Sequence, residues 1–329
     1  MKTYRLTIRD IQINVSICGQ GSPLLLLNGL GGLIRTFDPL RDGLADYTTI
    51  TLDVPGVGDS QMPRWPMRLP RHADLIAEML KQLGFDQVDV FGVSWGGALA
   101  QEFALRHPKM VRRLILAATS AGPIVLVKPA DILDFFCSGK GPTSRRREGS
   151  RNSIQMLLRF GVVKGMLTTN PLTYYYQLAA LVGWTSLLRL FRLRQRTLIL
   201  TGDRDTLVRI YNAQILRRTI RRAELHVLTG EGHFFVVTGA KRTAELIRQF
   251  LSQQHDDESP ADDRDRQVKG TPALIQEWIA ICYSLRSRHS WRPAIHPLAS
   301  EARRGLLSYR ADPLLDRQNR SPPAATQSV

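Results

Sequence analysis

The chain has 329 residues, long enough for one large domain with an insertion, and its 43% hydrophobic and 22% charged residues exclude wholesale disorder. No apolar run approaches the ~20 residues that cross a bilayer, the N-terminus has no signal-peptide stretch, and Cys18, Cys137 and Cys282 are too scattered for a disulfide framework or a zinc site, so a cytoplasmic protein with reduced thiols is expected. The formal charge of +16 comes without a zinc-finger or aromatic RNA-binding signature; a solvated basic face is its ordinary reading, electrostatic association with an anionic surface the alternative, and no specific nucleic acid partner is expected.

Residues 4–8 and 11–17 alternate polar and apolar around Arg9-Asp10, which predicts an N-terminal β-hairpin. Short apolar runs follow at 24–27, 50–54, 88–93, 114–118, 198–201 and 225–228. They do not alternate, as befits strands covered on both faces of a parallel sheet. Between them, 71–83 places Leu75, Met79 and Leu83 on one side, 96–107 is apolar and alanine-rich, and 240–251 carries Leu246, Ile247 and Phe250, so each predicts a helix. Strands alternating with helices predict a doubly wound α/β sheet.

The alternation stops after Ala118 and resumes at Thr197, which divides the chain into a first core segment at 1–120, an inserted helical cap at 121–196 and a second core segment at 197–252. Eleven Lys or Arg and a single acid, Glu148, lie between Gly139 and Arg196, so much of the excess charge is local to the cap. From 253 to 329 the sequence is polar and then rich in Pro, Ser and Arg; a mostly disordered basic tail is expected there, with a short helix at 273–285.

The sharpest chemical signal is Gly92-Val93-Ser94-Trp95-Gly96. G-x-S-x-G alone is weak, but here it follows an apolar strand and precedes a helix, the context a nucleophile elbow needs. A serine hydroxyl requires a base and an orienting acid further along the chain. The strand at 198–201 ends in Gly202-Asp203-Arg204-Asp205, and the strand at 225–228 is followed by Gly230-Glu231-Gly232-His233. Both lie at carboxyl ends of strands, where open α/β sheets keep their sites. Asp205 is preferred as the acid because Asp203 lies in the tight turn, where an Asp side chain satisfies local N–H groups; Asp203 is the alternative. His233 is preferred over His107, at a helix end, and His226, within a strand.

Acyl transfer also needs donors for an oxyanion. The loop Asn28-Gly29-Leu30-Gly31-Gly32 offers the Leu30 N–H, and Trp95 N–H, just after the serine, offers a second. The loop lacks the spacing of a phosphate cradle or a dinucleotide fingerprint, and no metal or organic cofactor is implied.

The motifs LLLLNGLGG (24–32), LDVPGVGDS (52–60), GVSWGGALAQEFA (92–104), LILAATSAG (114–122) and GWTSLL (183–188) resemble the intracellular poly(3-hydroxyalkanoate) depolymerases, medium-chain type, of the α/β-hydrolase superfamily. The resemblance spans roughly residues 5–252, and Asn28 in the oxyanion loop looks like the depolymerase form. It implies an α/β-hydrolase fold, a mostly parallel sheet with helices on both faces and an inserted helical cap. The family's nucleophile, acid and base fall on Ser94, Asp205 and His233. It also implies hydrolysis of storage polyester to 3-hydroxy acids through an acyl-enzyme, with the polyester granule or another hydrophobic ester as partner. Tyr174, Tyr175, Tyr176 and Trp184 are candidate substrate contacts in the cap, or ordinary cap core. The run at 144–151 is more basic than the family pattern, and the tail has no counterpart. The competing readings are a carboxylesterase or 3-hydroxyacyl thioester hydrolase or transferase on soluble substrates, and a granule-binding protein with a vestigial site.

Overall fold

The computed structural model describes residues 1–122 and 170–253. Among them eight strands form one sheet: β1 (Lys2–Ile8), β2 (Ile11–Cys18), β3 (Ser22–Leu27), β4 (Tyr47–Leu52), β5 (Val88–Val93), β6 (Val111–Ala117), β7 (Arg196–Gly202) and β8 (Ala223–Leu228), in the spatial order β1-β2-β4-β3-β5-β6-β7-β8. β2 pairs antiparallel with β1 and β4, and every later pairing is parallel. Arg9 and Asp10 both have positive φ, 48° and 66°. A two-residue turn of that kind follows the right-handed twist of its strands, which sets the hairpin register Ile8↔Ile11.

The unbroken apolar run of β3 is explained by the period of two along a strand. Leu24 and Leu26 belong to the core under Phe37, Leu40, Ile247 and Phe250, whereas Leu25 and Leu27 belong to the core under Leu80, Leu99, Phe103 and Leu216. The first face is covered by α1 (Asp38–Asp42), α6 (Phe235–Thr238) and α7 (Ala240–Ser252), the second by α2 (Leu69–Gln82), α3 (Trp95–Arg106) and α5 (Ile210–Thr219). The expected helices at 71–83, 96–107 and 240–251 are α2, α3 and α7. α5 escaped the periodicity because its inward face includes the polar Asn212 beside Ala213, Ile215 and Leu216. α1 and α6 are too short, at five and four residues, to show a helical period.

α2 stops where Gly84 takes φ +80°, its N–H donating to the Lys81 carbonyl and that of Phe85 to Leu80, a Schellman ending that a side chain at 84 would strain. Of the expected cap at 121–196, the described part contains α4 (Pro171–Leu181), N-capped by the Asn170 side chain, and a 3-10 turn at Leu187–Arg192. The basic run at 144–151 and the tail at 254–329 lie outside the described residues. None of the described helices is long and apolar enough to cross a membrane.

His72 on α2 is buried, its ring edge-on to Trp95 at 5.4 Å between centroids. Burial pushes its pKa from 6.5 down to about 4, only partly offset by a hydrogen bond with the Met67 backbone. Above pH 6.5 the ring is neutral folded and unfolded; between 6.5 and about 4 the unfolded chain takes up a proton that the folded one refuses. Stability is therefore lost as pH falls through that window, by roughly 3 kcal/mol for this group. Urea unfolding of the wild type and His72→Phe at steps from pH 7 to 4 should show a shallower decline in the variant. Parallel declines would show that His72 does not stay neutral in the folded state.

Candidate active site

Ser94 sits between β5 and α3 at φ 54°, ψ −118°, a conformation that costs an L-residue about 1–3 kcal/mol unless its surroundings dictate it. They do so by hydrogen bonds on both sides. The Ser94 N–H donates to the Ala117 carbonyl at 2.9 Å, and the Ser94 carbonyl accepts from Gly97 N–H and from the Thr119 hydroxyl at 2.8 Å. The flanking glycines are required by close approach. A Cβ on Gly92 would lie 2.7 Å from the Ala100 Cβ, and one on Gly96 would lie 2.6 Å from the Leu27 carbonyl carbon. α3 thus begins directly on the end of β3.

The loops after β7 and β8 bring the other two groups to this serine. His233 Nε2 is 3.2 Å from Ser94 Oγ, and His233 Nδ1 is 2.8 Å from Asp205 Oδ2. The Asp205 carboxylate is fully buried, and its second oxygen accepts the N–H groups of Leu207 and Val208 at 2.9 and 2.8 Å, so it cannot rotate away from the imidazole. Asp203 instead accepts the Gly230 N–H at 2.7 Å and ties the two loops together. Of the two aspartates, Asp205 faces the histidine. This arrangement can move a proton from a serine hydroxyl to an imidazole whose other nitrogen is held by a carboxylate.

The loop at 28–32 borders the serine. A Cβ on Gly29 would lie 3.4 Å from Ser94 Cβ and 3.9 Å from its Oγ. Asn28 is buried and its Nδ2 donates to the Leu33 carbonyl at 2.8 Å, closing the loop on itself, helped by Gly32 N–H to Gly29 O at 3.0 Å. Leu30 is half-buried in this loop, and Trp95 opens α3, where the first backbone N–H groups of a helix have no partner within it.

The four cap aromatics part company. Tyr174 packs on Gly31, where its ring fills the space a side chain would need. Tyr175 is exposed, and the Tyr176 hydroxyl donates to the Arg64 carbonyl at 3.4 Å. Trp184 is not brought to the triad. It is buried, and its indole N–H donates at 2.9 Å to the carboxylate of Glu102, itself buried and paired with Arg189 at 2.7 Å. Eight residues of helix separate Glu102 from Ser94, ~12 Å along the axis.

Sequence reasoning missed three groups that frame the site: Gln177, His72 and Asp53. Gln177 was hidden among the neighbouring tyrosines. Asp53 is buried after β4, accepting from Asn14 Nδ2, Ile34 N–H and Asp59 N–H; burial still holds its pKa above the ordinary carboxylate value. A cavity of about 600 Å³ lies there, lined in part by Leu33, Ile34, Asp53, Gly58 and Asp59, but by none of Ser94, Asp205 and His233. No group of three or more His, Cys, Asp and Glu is gathered for a metal among the described residues.

Comparison with known proteins agrees with this architecture. The alpha/beta hydrolase fold family model matches residues 22–139. The chain is 37% identical over 245 residues to the poly(3-hydroxyalkanoate) depolymerase of Ectopseudomonas oleovorans, covering 71% of this chain and 85% of the relative. The chain belongs to the poly(3-hydroxyalkanoate) depolymerase family of α/β hydrolases. The chain is also similar to the 2-hydroxymuconate semialdehyde hydrolase of a Pseudomonas species, 25% identical over 74% of this chain and 91% of that one. Among solved structures, an esterase from Thermogutta terrifontis has a TM-score of 0.67 at 23% identity, covering 76% of this chain and 98% of that one. The enol-lactonase of Burkholderia xenovorans has a TM-score of 0.68 at 17% identity, covering 76% and 100%. These two share the fold with this depolymerase-family hydrolase.

The geometry separates Trp184 from Tyr174, which packs on Gly31 in the loop at 28–32. Trp184→Phe leaves the buried Glu102 carboxylate short of one donor and should cost about 1–2 kcal/mol of stability, with KM for a soluble ester held within about twofold. Chemical denaturation and steady-state kinetics on the same preparation check this. A large KM rise at unchanged stability would return Trp184 to the substrate site.

Proposed function

We propose that this chain is a serine-nucleophile ester hydrolase that cleaves poly(3-hydroxyalkanoate) to 3-hydroxy acids through an acyl-enzyme. The observation that carries the reading is the continuous contact Ser94 Oγ, His233, Asp205 at 3.2 and 2.8 Å. The 37% identity to a depolymerase supports the polyester as substrate. So does the outward side of the cap, where Leu172, Tyr175 and Val182 are exposed.

In this mechanism Ser94 Oγ attacks the ester carbonyl carbon while His233 Nε2 takes the hydroxyl proton. Asp205 holds the imidazole with its Nδ1–H toward the carboxylate and stabilises the imidazolium that forms. The carbonyl oxygen becomes an oxyanion between the N–H groups of Leu30 and Trp95. Collapse breaks the ester C–O bond, and the departing alcohol, the hydroxyl end of the remaining polymer, receives the proton from His233. Water then attacks the acyl-serine with His233 as base and frees the 3-hydroxy acid and the Ser94 hydroxyl. No step calls for a cofactor.

Ser94→Ala should lower kcat on a soluble p-nitrophenyl ester by ~10³-fold or more without changing stability, because the hydroxyl has no packing role. Near-normal turnover in that variant would sink the serine mechanism. Asp205→Asn should cost ~10³–10⁴-fold, and Asp203→Asn less than ~10-fold, since only the first puts the imidazole in the wrong tautomer. The reverse ranking would transfer the acid's role to Asp203. Turnover of polymer granules set against p-nitrophenyl esters and 3-hydroxyacyl thioesters tests the substrate, and a preference for either soluble class would remove the polyester assignment.

A further inference from the structure

A helix packed on an α/β core ordinarily turns an apolar stripe inward. α4 departs from this over its first two turns. Its buried positions are Thr173, Gln177 and Ala180, while Leu172 and Tyr175 are exposed. The inward polar groups are spent on backbone of the site loops. The Thr173 hydroxyl donates to the Gly56 carbonyl at 2.7 Å. Gln177, 2% exposed, makes two contacts: its Oε1 accepts the Gly31 N–H at 2.8 Å, and its main-chain carbonyl accepts the Trp95 indole N–H at 2.8 Å. Only the oxygen end of an amide can accept an N–H, so the Gly31 contact also sets the orientation of the Gln177 side chain.

The two residues held by Gln177 adjoin the two proposed oxyanion donors. Gly31 follows Leu30, and Trp95 carries the second donor on its own backbone. The loop between β3 and α1 contains Gly29, Gly31 and Gly32, and so has many backbone conformations available. Its internal bonds, Asn28 to Leu33 and Gly32 to Gly29, shape it but do not place it relative to Ser94. The Gln177 bond does, because it reaches from another element. Trp95 is likewise fixed from two sides, its indole N–H by Gln177 and its ring by His72.

We propose that Gln177 is a positioning residue for the oxyanion hole, holding the Leu30 and Trp95 donors in mutual register from the cap helix. The proposal rests on the serine-hydrolase reading above. Such donors must lie 2.7–3.1 Å, as a rough general range, from the developing oxyanion, and a displacement of about 1 Å can cost ~10²-fold in rate. The effect acts on the transition state, so it falls on kcat rather than KM.

The test uses the full chain, with soluble p-nitrophenyl esters and an alkyl boronic acid as a mimic of the tetrahedral state. Gln177→Met keeps the length of the side chain and loses the acceptor. It should lower kcat ~10–100-fold with KM within about threefold, and weaken the boronic acid in parallel with kcat. Gln177→Glu, which keeps an acceptor oxygen, should recover most of the loss. Wild-type kcat in Gln177→Met, or equal losses in the Met and Glu variants, would overturn the proposal, the second because it would trace the effect to packing. If Gln177→Met does not fold, Trp95→Phe carries the test, since it removes the indole donor and retains the backbone N–H. The same split between kcat and KM is expected, and wild-type kcat with wild-type boronic acid affinity would overturn the proposal. Ser94→Ala run alongside keeps the two readings apart. An active Ser94→Ala removes the serine mechanism and this inference with it, whereas an inactive Ser94→Ala beside a fully active Gln177→Met removes this inference alone.

Discussion

The site depends on one constraint, the left-handed backbone of Ser94 at the junction of β5 and α3. An L-residue adopts φ 54° only when its neighbours require it. Here α3 must start at once, with its first turn lying on the end of β3, and Gly96 is the residue that allows the contact. That contact brings the end of β3, from which the loop at 28–32 leaves, against the first turn of α3. The Ser94 N–H is committed to Ala117 at the end of β6, and the next residue, Ala118, also has positive φ, 45°, and donates its N–H to Leu200 of β7. The ends of β3, β5, β6 and β7 are therefore tied across one edge of the sheet.

The remaining chemistry is delivered to that edge by the parallel pairing of β7 and β8, whose register brings Gly202 opposite Leu228. The loops that follow are joined by Arg204 N–H to the Glu231 carbonyl at 2.9 Å and by the Asp203 carboxylate to Gly230. Asp205 and His233 meet because these two loops behave as one unit. Each aspartate thus has a separate job, Asp203 at the base of the loops and Asp205 against the imidazole.

The described part of the expected cap, residues 170–196, joins the apolar core through Ala180, Trp184, Leu190 and Leu193 and is placed by directed polar contacts. Trp184 and Arg189 engage Glu102, Ser186 donates to Gln101 at 2.7 Å, and Thr173 and Gln177 hold the site loops. Buried hydrogen bonds specify one relative placement because leaving any of them unmade exposes a polar group to a medium without water. Apolar packing alone would tolerate sliding. A cap fixed in this way can carry apolar side chains such as Tyr175 and Leu172 on its outer side.

Much of this was legible in the sequence because it is local. Period two in the hairpin, unbroken apolar runs in the parallel strands and the glycines around Ser94 each reflect backbone geometry within a few residues, and from them the sheet, α2, α3 and α7 and the residues Ser94, Asp205 and His233 could be named. The preference for Asp205 over Asp203 agrees with the contact to His233, but not for the reason read from the sequence, since Asp203 accepts the distant Gly230 N–H and it is Asp205 that accepts the local N–H groups of Leu207 and Val208. Only the tertiary structure decided which of residues 170–196 contact the loops around Ser94. Trp184 looked like the tyrosines near it, yet its indole answers a buried carboxylate on α3, and Gln177, which no local pattern marks, reaches Gly31 across 146 positions of chain. A hydrogen bond between distant segments leaves no periodic trace in either one, because its energy depends on where folding places two atoms and not on what surrounds them along the chain.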